Sequence, residues 1–172
     1  MRDEGEQNMS DETYNAVKRD FITALRIIYR EGLSDAFAHL SARSNDGNEM
    51  LFMPRKSPAL VQRDELFFVD FDKAVPQSSL HQAIYKARAD VKAVFHFHSP
   101  AVVLLSVVGQ SIREVCMLGL FLEESARLQS EAMQIGTPIF MERDEAEKIA
   151  KRTFKPTSTE RAWDHCAAKR AE

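Results

Sequence analysis

Hydrophobic residues in the first part of the chain recur at the spacing of a helix. One face is apolar at every third or fourth position: Tyr14, Val17, Phe21, Leu25 and Ile28. This period predicts an amphipathic helix, with Ser10 as its N-cap and Gly32 as the residue that ends it. Residues 1–12 hold five acids and one base, so we expect them to form a disordered acidic tail. Residues 13–172 are then expected to form a single domain.

Short strands are predicted after that helix. Residues 37–43 and 49–53 are rich in apolar side chains, and residues 45–48 (NDGN) lie between them. The Asp-Gly step tolerates the positive φ that a tight turn requires, so these segments predict a β-hairpin. Residues 66–70 predict one more short strand.

Helix and strand signals alternate in the middle of the chain. Residues 79–89 carry apolar side chains on one helical face, and residues 91–98 form a short apolar run that is typical of a strand. Near the C-terminus, residues 157–160 (TSTE) resemble a capping box and predict a last helix that carries Trp163.

Two further helices are predicted between these segments. Ser99 and Pro100 are typical of a helix start, and this helix would end at Gly109. Ser111 starts the next helix with a capping box (SIRE), and that helix would end at Gly136. The two helices would therefore follow each other with no strand between them.

Length and charge limit the classes of function. The chain has 172 residues, which corresponds to about one domain. It is 44% hydrophobic and 28% charged with a formal net charge of −3, which is ordinary for a soluble globular protein and argues against nucleic-acid binding. The apolar runs are shorter than the ~20 residues of a membrane span, and the acidic start is unlike a signal peptide. We therefore expect a cytoplasmic protein without nucleic-acid or membrane partners.

His96 and His98 form the motif with the most specific chemistry. Alternate residues of a strand point to the same face, so both imidazoles project together while Phe95 and Phe97 face the core. Two such residues, about 7 Å apart along the strand, suit two ligands of a divalent metal. The alternative is a pair of partly buried histidines that bond to backbone carbonyls. A complete zinc site needs three protein ligands or more.

The remaining thiols and imidazoles are weaker candidates for metal ligands. Cys116 and Cys166 exclude a disulfide-rich scaffold, and Cys116 lies in an apolar helical run that places it in the core. His81 is expected to be a packed, hydrogen-bonded side chain. His39 is a further imidazole candidate, and His165 with Cys166 could complete a site in a partner subunit.

Two stretches resemble a known family. Residues 81–100 (HQAIYKARADVKAVFHFHSP) and 32–43 (GLSDAFAHLSAR) are similar to core motifs of the class II aldolase/adducin family, and His39 resembles the histidine of its adducin-like bacterial branch. The resemblance implies an α/β fold, a three-layer α/β/α sandwich with a largely antiparallel sheet. It implies a divalent metal, usually zinc, on His96 and His98. It also implies a homo-oligomer, which is a tetramer in the family.

The resemblance also implies residues that bind a small anionic substrate. Ser41 and Arg43 match a loop that lines the substrate's anionic group, with ordinary hydrogen bonding at a strand end as the open alternative. Ser78 and Ser79 resemble a serine pair that contacts phosphate. A cationic pair beginning at Arg55 is expected to be solvated, with anion binding as the alternative.

Three departures from the family pattern change the expected chemistry. The glutamate that serves aldolases as general acid and base is absent. Gln77 lies nearby in the sequence, but its amide cannot transfer a proton. His39 replaces the asparagine of a phosphate loop, which favours a small hydroxy or keto acid over a sugar phosphate. The third metal histidine is also absent. We infer an internal deletion near residues 107–110 that removes this ligand and part of the sheet.

These features leave three hypotheses for the function. By resemblance, the chain is a metal-dependent lyase-type domain that performs aldol cleavage or a related decarboxylation through a metal-stabilised enolate. Its substrate would be a small hydroxy or keto acid or a sugar phosphate, and loss of the third ligand would make activity weak or absent. The alternatives are a non-catalytic, adducin-like oligomerisation module and an inactive truncated remnant.

Overall fold

An antiparallel sheet flanked by helices forms the fold. The computed structural model describes residues 4–34, 36–45, 47–99, 105–137 and 139–169, without the side chains of residues 4–12 and 105. The strands in the described part are β1 (His39–Arg43), β2 (Glu49–Phe52), β3 (Phe67–Asp70), β4 (Ala93–Phe97) and β5 (Leu105–Gly109). The helices there are α1 (Glu4–Arg30), α2 (Ser79–Ala87), α3 (Ile112–Ile135), α4 (Arg143–Thr153) and α5 (Pro156–Ala168).

The strands lie in the order β3-β2-β1-β4-β5, and each neighbouring pair is antiparallel. The register places His39 of β1 opposite His96 of β4, and His96 opposite Ser106 of β5. The hairpin predicted between β1 and β2 is present. Gly47 adopts φ +81° in its turn, and Asp46 of the predicted turn lies outside the described residues.

Both faces of the sheet are buried. Phe95 and Phe97 belong to a core cluster with residues of α1 and α3, whereas Val94 and Phe52 pack in a second cluster with Tyr85 of α2. Helices therefore cover the sheet on both sides. This confirms the predicted three-layer α/β/α class with an antiparallel sheet, and it explains the apolar residues at consecutive strand positions.

Helix α1 begins upstream of the predicted N-cap Ser10. Its first residue, Glu4, lies within the segment 1–12 for which the sequence predicts a disordered tail, so residues 4–12 are helical in the structure. Extending a helix costs far less free energy than starting one. The other end follows the prediction: Gly32 adopts φ +70°, and the amide of Leu33 donates to the carbonyl of Ile28 at 3.0 Å, as in a glycine-capped helix.

Strand β5 replaces the helix that the sequence predicts up to Gly109. The segment from Leu105 to Gly109 pairs with β4 along its whole length, so α3 follows a strand and not another helix. This pairing gives the backbone groups on the second side of β4 their hydrogen-bond partners. Local helix-start signals in the sequence do not reveal such pairing. Pro100, the predicted first helical residue, lies outside the described residues. The deletion near 107–110 stays a prediction.

The helices of the described residues are α1 to α5. None of them combines the length and the apolar character that a membrane crossing requires.

Candidate metal and substrate site

His96 and His98 lie together on the α2 face of the sheet, as the alternation along β4 predicts. Their Nε2 atoms are 3.3 Å apart. The two ring centroids are separated by 5.2 Å, with the ring planes at 86°. The two imidazoles therefore meet at their Nε2 atoms, with their ring planes nearly perpendicular.

This convergence fits two ligands of one metal ion. Two nitrogen ligands of a tetrahedral zinc ion, each at about 2.0–2.1 Å, lie about 3.3–3.4 Å from each other, and the Nε2 atoms of His96 and His98 show this separation. Within the described residues, however, no group of three His, Cys, Asp or Glu side chains is arranged to hold a metal ion. The described residues thus bring two candidate ligands together, His96 and His98, without a third.

Ser106 of β5 fixes the orientation of His96. Nδ1 of His96 lies 2.9 Å from Oγ of Ser106, its cross-strand neighbour. A ligating histidine is usually held in this way, because a hydrogen bond at one ring nitrogen sets the tautomer and leaves the other for the metal. The strand that the sequence analysis missed therefore supports the predicted ligand.

His39 extends the pair into a row of imidazoles. Its ring lies parallel to that of His96, at an interplanar angle of 11° and a centroid distance of 6.5 Å. Burial lowers the pKa of His39 below its usual value, and His96, His98 and Arg55 lower it further. Burial, and next His98, likewise lower the pKa of His96. These shifts favour the neutral imidazole, which is the form that binds metals.

His81 lies at the other side of His39 and is almost fully buried, with 1% of its surface exposed. Its ring stands edge on to that of His39 at 6.5 Å. Burial, then the neighbouring His39 and His96, lowers the pKa of His81 to about 3. Nδ1 is 2.7 Å from Oγ of Ser41, while Nε2 is the buried side-chain polar atom of the described residues that has no hydrogen-bond partner. His81 is thus packed and hydrogen-bonded, as expected, but through one nitrogen only.

Ser41 and Arg43 form hydrogen bonds with other groups of the protein. The buried hydroxyl of Ser41 lies between His81 and the hydroxyl of Tyr85, 2.9 Å away. Arg43 donates to four backbone carbonyl groups, those of Gly47, Tyr85, Arg88 and Val91. Arg43 also ends β1, about 13 Å along the strand from His39 at its start. The structure therefore brings Ser41, but not Arg43, close to the row of imidazoles.

Ser78 and Ser79 mark the start of α2. Their hydroxyls donate to the carbonyl oxygens of Val75 at 2.9 Å and Pro76 at 3.0 Å. Ser78 is buried and Ser79 exposed. Neither is among the residues that line the pocket beside His39.

That pocket is the cavity next to the imidazoles. It has a volume of about 660 Å³ and is lined by Ala36, Phe37, His39, Arg55, Lys56, Ser57, Pro76 and Gln77. Lys56 is bonded to Glu65, whereas Arg55 lies close enough to His39 to lower its pKa. The pocket thus offers a cation and an amide beside the metal-ligand candidates. Arg55 is exposed, as the sequence predicts for a solvated cation, and it also lines this pocket.

The other candidate ligands lie elsewhere in the fold. Cys116 is buried in the core cluster on the opposite face, with Cys166 packed against that cluster. His165 of α5 lines a separate cavity of about 690 Å³ that is also lined by Phe121 and Phe154. Their separation from β4 removes them from the site within this chain.

Comparison with known families and proteins agrees with this architecture. The model of the family Class II Aldolase and Adducin N-terminal domain matches residues 19–162. A curated relative, the decarboxylase tropJ of Talaromyces stipitatus, is 29% identical over 119 residues, which cover 62% of this chain and 45% of the relative. The matched part therefore spans less than half the length of that relative.

Two solved structures show the same fold. An L-fuculose 1-phosphate aldolase from Glaciozyma antarctica has a TM-score of 0.79 at 17% identity, with 88% of this chain and 87% of that chain covered. An aldolase II superfamily protein from Pseudomonas syringae has a TM-score of 0.77 at 16% identity, with 90% and 91% covered.

Proposed function

Because this chain belongs to the class II aldolase and adducin family, we propose that it is a divalent-metal-dependent carbon–carbon lyase. The observation that carries the proposal is the convergence of the Nε2 atoms of His96 and His98, 3.3 Å apart, beside a pocket that contains Arg55. The expected ion is zinc. A divalent ion bound by this pair would stabilise negative charge that develops on a substrate carbonyl oxygen.

The lining of the pocket supports a proposal for the substrate class. The guanidinium of Arg55 would bind a carboxylate through paired hydrogen bonds, and the amide of Gln77 would orient it. A volume of about 660 Å³ suits a small molecule. We infer a small keto or hydroxy acid, with a sugar phosphate as the other class to be tested.

Decarboxylation suits these residues better than aldol cleavage. Cleavage of an aldol requires a base that removes the hydroxyl proton, and Gln77 cannot act as one. In decarboxylation of a 3-keto acid, the bond to the carboxylate carbon breaks and its electron pair moves toward the carbonyl to form an enolate. Carbon dioxide leaves, and the enolate carbon takes a proton from water. This sequence needs no protein base, and it agrees with the decarboxylase among the relatives.

The test is a substrate screen of the purified chain loaded with Zn²⁺, Co²⁺ or Mn²⁺. Carbon dioxide and aldehyde release are measured separately for small keto acids, hydroxy acids and sugar phosphates. We expect the wild-type chain to release carbon dioxide from a keto acid. We expect His96→Ala to lose this activity. Arg55→Gln should raise KM with little change in kcat. The control is Arg63→Gln, which should match wild type, because the guanidinium of Arg63 bonds to Asn15 instead. Aldehyde without carbon dioxide would contradict decarboxylation, and no metal-dependent turnover would contradict the lyase proposal.

A non-catalytic oligomerisation module is the second candidate. Its support is a run of exposed apolar side chains over the end of α3 and the segment after it: Leu128, Met133, Ile135, Ile139, Phe140 and Met141. Exposed apolar surface of this kind is typical of protein–protein contacts, and it also supports a homo-oligomer for an enzyme. The module hypothesis predicts assembly by sedimentation without bound metal, unchanged in His96→Ala. Stoichiometric metal that is lost in His96→Ala would contradict it.

A further inference from the structure

We propose that His39 is the third protein ligand of the metal ion held by His96 and His98. This inference rests on the proposed metal-dependent function and assigns a residue to it. It accounts for a site in which the family's third histidine is absent from the sequence and two imidazoles alone converge.

The register of the sheet places His39 where a third ligand is needed. His39 lies directly opposite His96 across the β1–β4 pair. Side chains at opposed positions share one face of the sheet, with their Cβ atoms about 4.5–5.5 Å apart. His98 lies two residues after His96, just past the end of β4, and its Nε2 atom is 3.3 Å from that of His96. Two of the three imidazoles therefore come from paired strands, which are rigid supports for a site.

Binding of His39 to the ion would require a change of its side-chain torsion angles. In the present conformation its ring is parallel to that of His96 at a centroid distance of 6.5 Å, and the donors of three residues do not converge. The rings of His96 and His98 already stand nearly perpendicular at 5.2 Å. Rotation about the Cα–Cβ and Cβ–Cγ bonds of His39 would turn one nitrogen toward the same point without moving the backbone.

The buried nitrogen of His81 supplies an independent argument. A ligating histidine bonds through its second ring nitrogen to a fixed partner. Nε2 of His81 is a buried atom without a hydrogen-bond partner, in the ring that stands edge on to His39. A bond from a ring N–H of His39 to this nitrogen would continue through Nδ1–H of His81 to Oγ of Ser41, and from Ser41 to Tyr85. Each polar atom in that chain then has a partner.

The other donors of the described residues are poorly placed for the role. Glu123 lies on α3, the helix that packs on the other face of the sheet, and accepts a hydrogen bond from Ser99. Cys116 belongs to the core on that same face. His165 lies in the cavity between α3 and α5, and it provides a matched control histidine.

The experiment measures metal binding and requires no substrate. Zinc affinity is determined by competition with a chromogenic chelator for wild type, His39→Ala, His96→Ala and His165→Ala, and the visible spectrum of the Co²⁺ form is recorded for each. We expect wild type to bind one ion per chain. His39→Ala should weaken binding by more than about 100-fold, because even residues that only orient a ligand contribute 10- to 100-fold. The tetrahedral Co²⁺ bands should weaken in parallel, while His165→Ala matches wild type.

The results distinguish this inference from the proposed function. Binding that is lost in His96→Ala but unchanged in His39→Ala would overturn the role of His39 and leave the metal-dependent function standing. Binding weakened equally in His39→Ala and His165→Ala would also overturn it. Wild type that binds no ion would overturn both. Zinc-edge X-ray absorption of wild type gives a readout free of folding defects, since three imidazole ligands support the inference and two overturn it.

Discussion

His81 is buried beside the candidate site, and its lowered pKa should make the fold sensitive to acid. Burial lowers its pKa to about 3 in the folded chain from the usual 6.5. Above pH 6.5 His81 is neutral in both the folded and the unfolded state, so its protonation does not change the free energy of unfolding. As the pH falls from 6.5 toward 3, the unfolded state gains a proton that the folded state does not. The free energy of unfolding then decreases, by up to about 1.4 kcal/mol per pH unit.

Urea unfolding of the metal-free chain between pH 7 and 4.5 measures this loss. His81→Gln should have a shallower pH dependence than wild type, and His165→Gln should keep the wild-type dependence. His39 and His96, whose pKa values are also lowered, would add to the slope in all three proteins. Equal slopes in wild type and His81→Gln would show that His81 is protonated in the fold.

Ser41 can be assigned to support of the fold or to substrate binding by one substitution. Its hydroxyl lies within hydrogen-bond distance of His81 and Tyr85 in the interior. Ser41→Ala should therefore lower the free energy of unfolding by about 1–3 kcal/mol, the cost of leaving buried polar groups without partners. Ser79→Ala, at an exposed position, should change it by less than about 0.5 kcal/mol. Urea denaturation measures the free energy of unfolding of both variants. Unchanged stability together with a raised KM in Ser41→Ala would favour a role in substrate binding.

At the scale of elements, the contact of α3 with the sheet depends on Gly119. A Cβ atom at this position would lie 3.0 and 3.1 Å from two ring carbons of Phe95. Gly119→Ala should destabilise the fold by about 1–3 kcal/mol through overpacking, although alanine is favoured over glycine within a helix by about 1 kcal/mol.

Gly136→Ala is the matched control, because a Cβ atom there meets nothing within 4 Å and its φ of 176° is extended backbone. Thermal and urea unfolding of both variants should separate them clearly. A stable Gly119→Ala would mean that α3 is not held tightly against β4.

The elements that local patterns predicted are those whose signals lie within one segment. Helix α1 has its apolar period, α2 its apolar positions at helical spacing, and β4 its short apolar run with His96 and His98 on one side. Strand β5 was missed because Ser99 and Pro100 carry a local helix-start signal. Its pairing with β4 joins two segments and is not visible in the pattern of either segment alone.

The candidate site, too, was predictable only as far as its residues lie within one segment. His96 and His98 share a face by their spacing alone. His39 and Arg55 join them only through the register of β1 with its neighbours, which no local pattern encodes. The roles predicted for Ser41, Arg43, Ser78 and Ser79 came from resemblance, and the structure shows how each is bonded instead of what it binds.

At the scale of the whole molecule, the question is whether this chain folds cooperatively or is an inactive remnant. The core on the α3 face joins α1, α3, α5 and the sheet through Phe21, Phe95, Cys116 and Trp163. A cluster that connects these elements should open only when the whole fold unfolds. A remnant with a loose interior would expose the same side chains continuously.

The two cysteines measure this directly. Cys116 is buried and Cys166 partly exposed. Burial raises the pKa of both thiols, and Cys116 is the more deeply buried. With a thiol-reactive chromophore in native buffer, Cys166 should react first, and Cys116 should react at a rate limited by unfolding. Cys166→Ala should leave one very slow thiol, and Cys116→Ala one faster thiol. If Cys116 reacts as fast as Cys166 in wild type, the core is open and the remnant hypothesis is correct; if it reacts orders of magnitude more slowly, the chain is a packed domain able to hold the site in place.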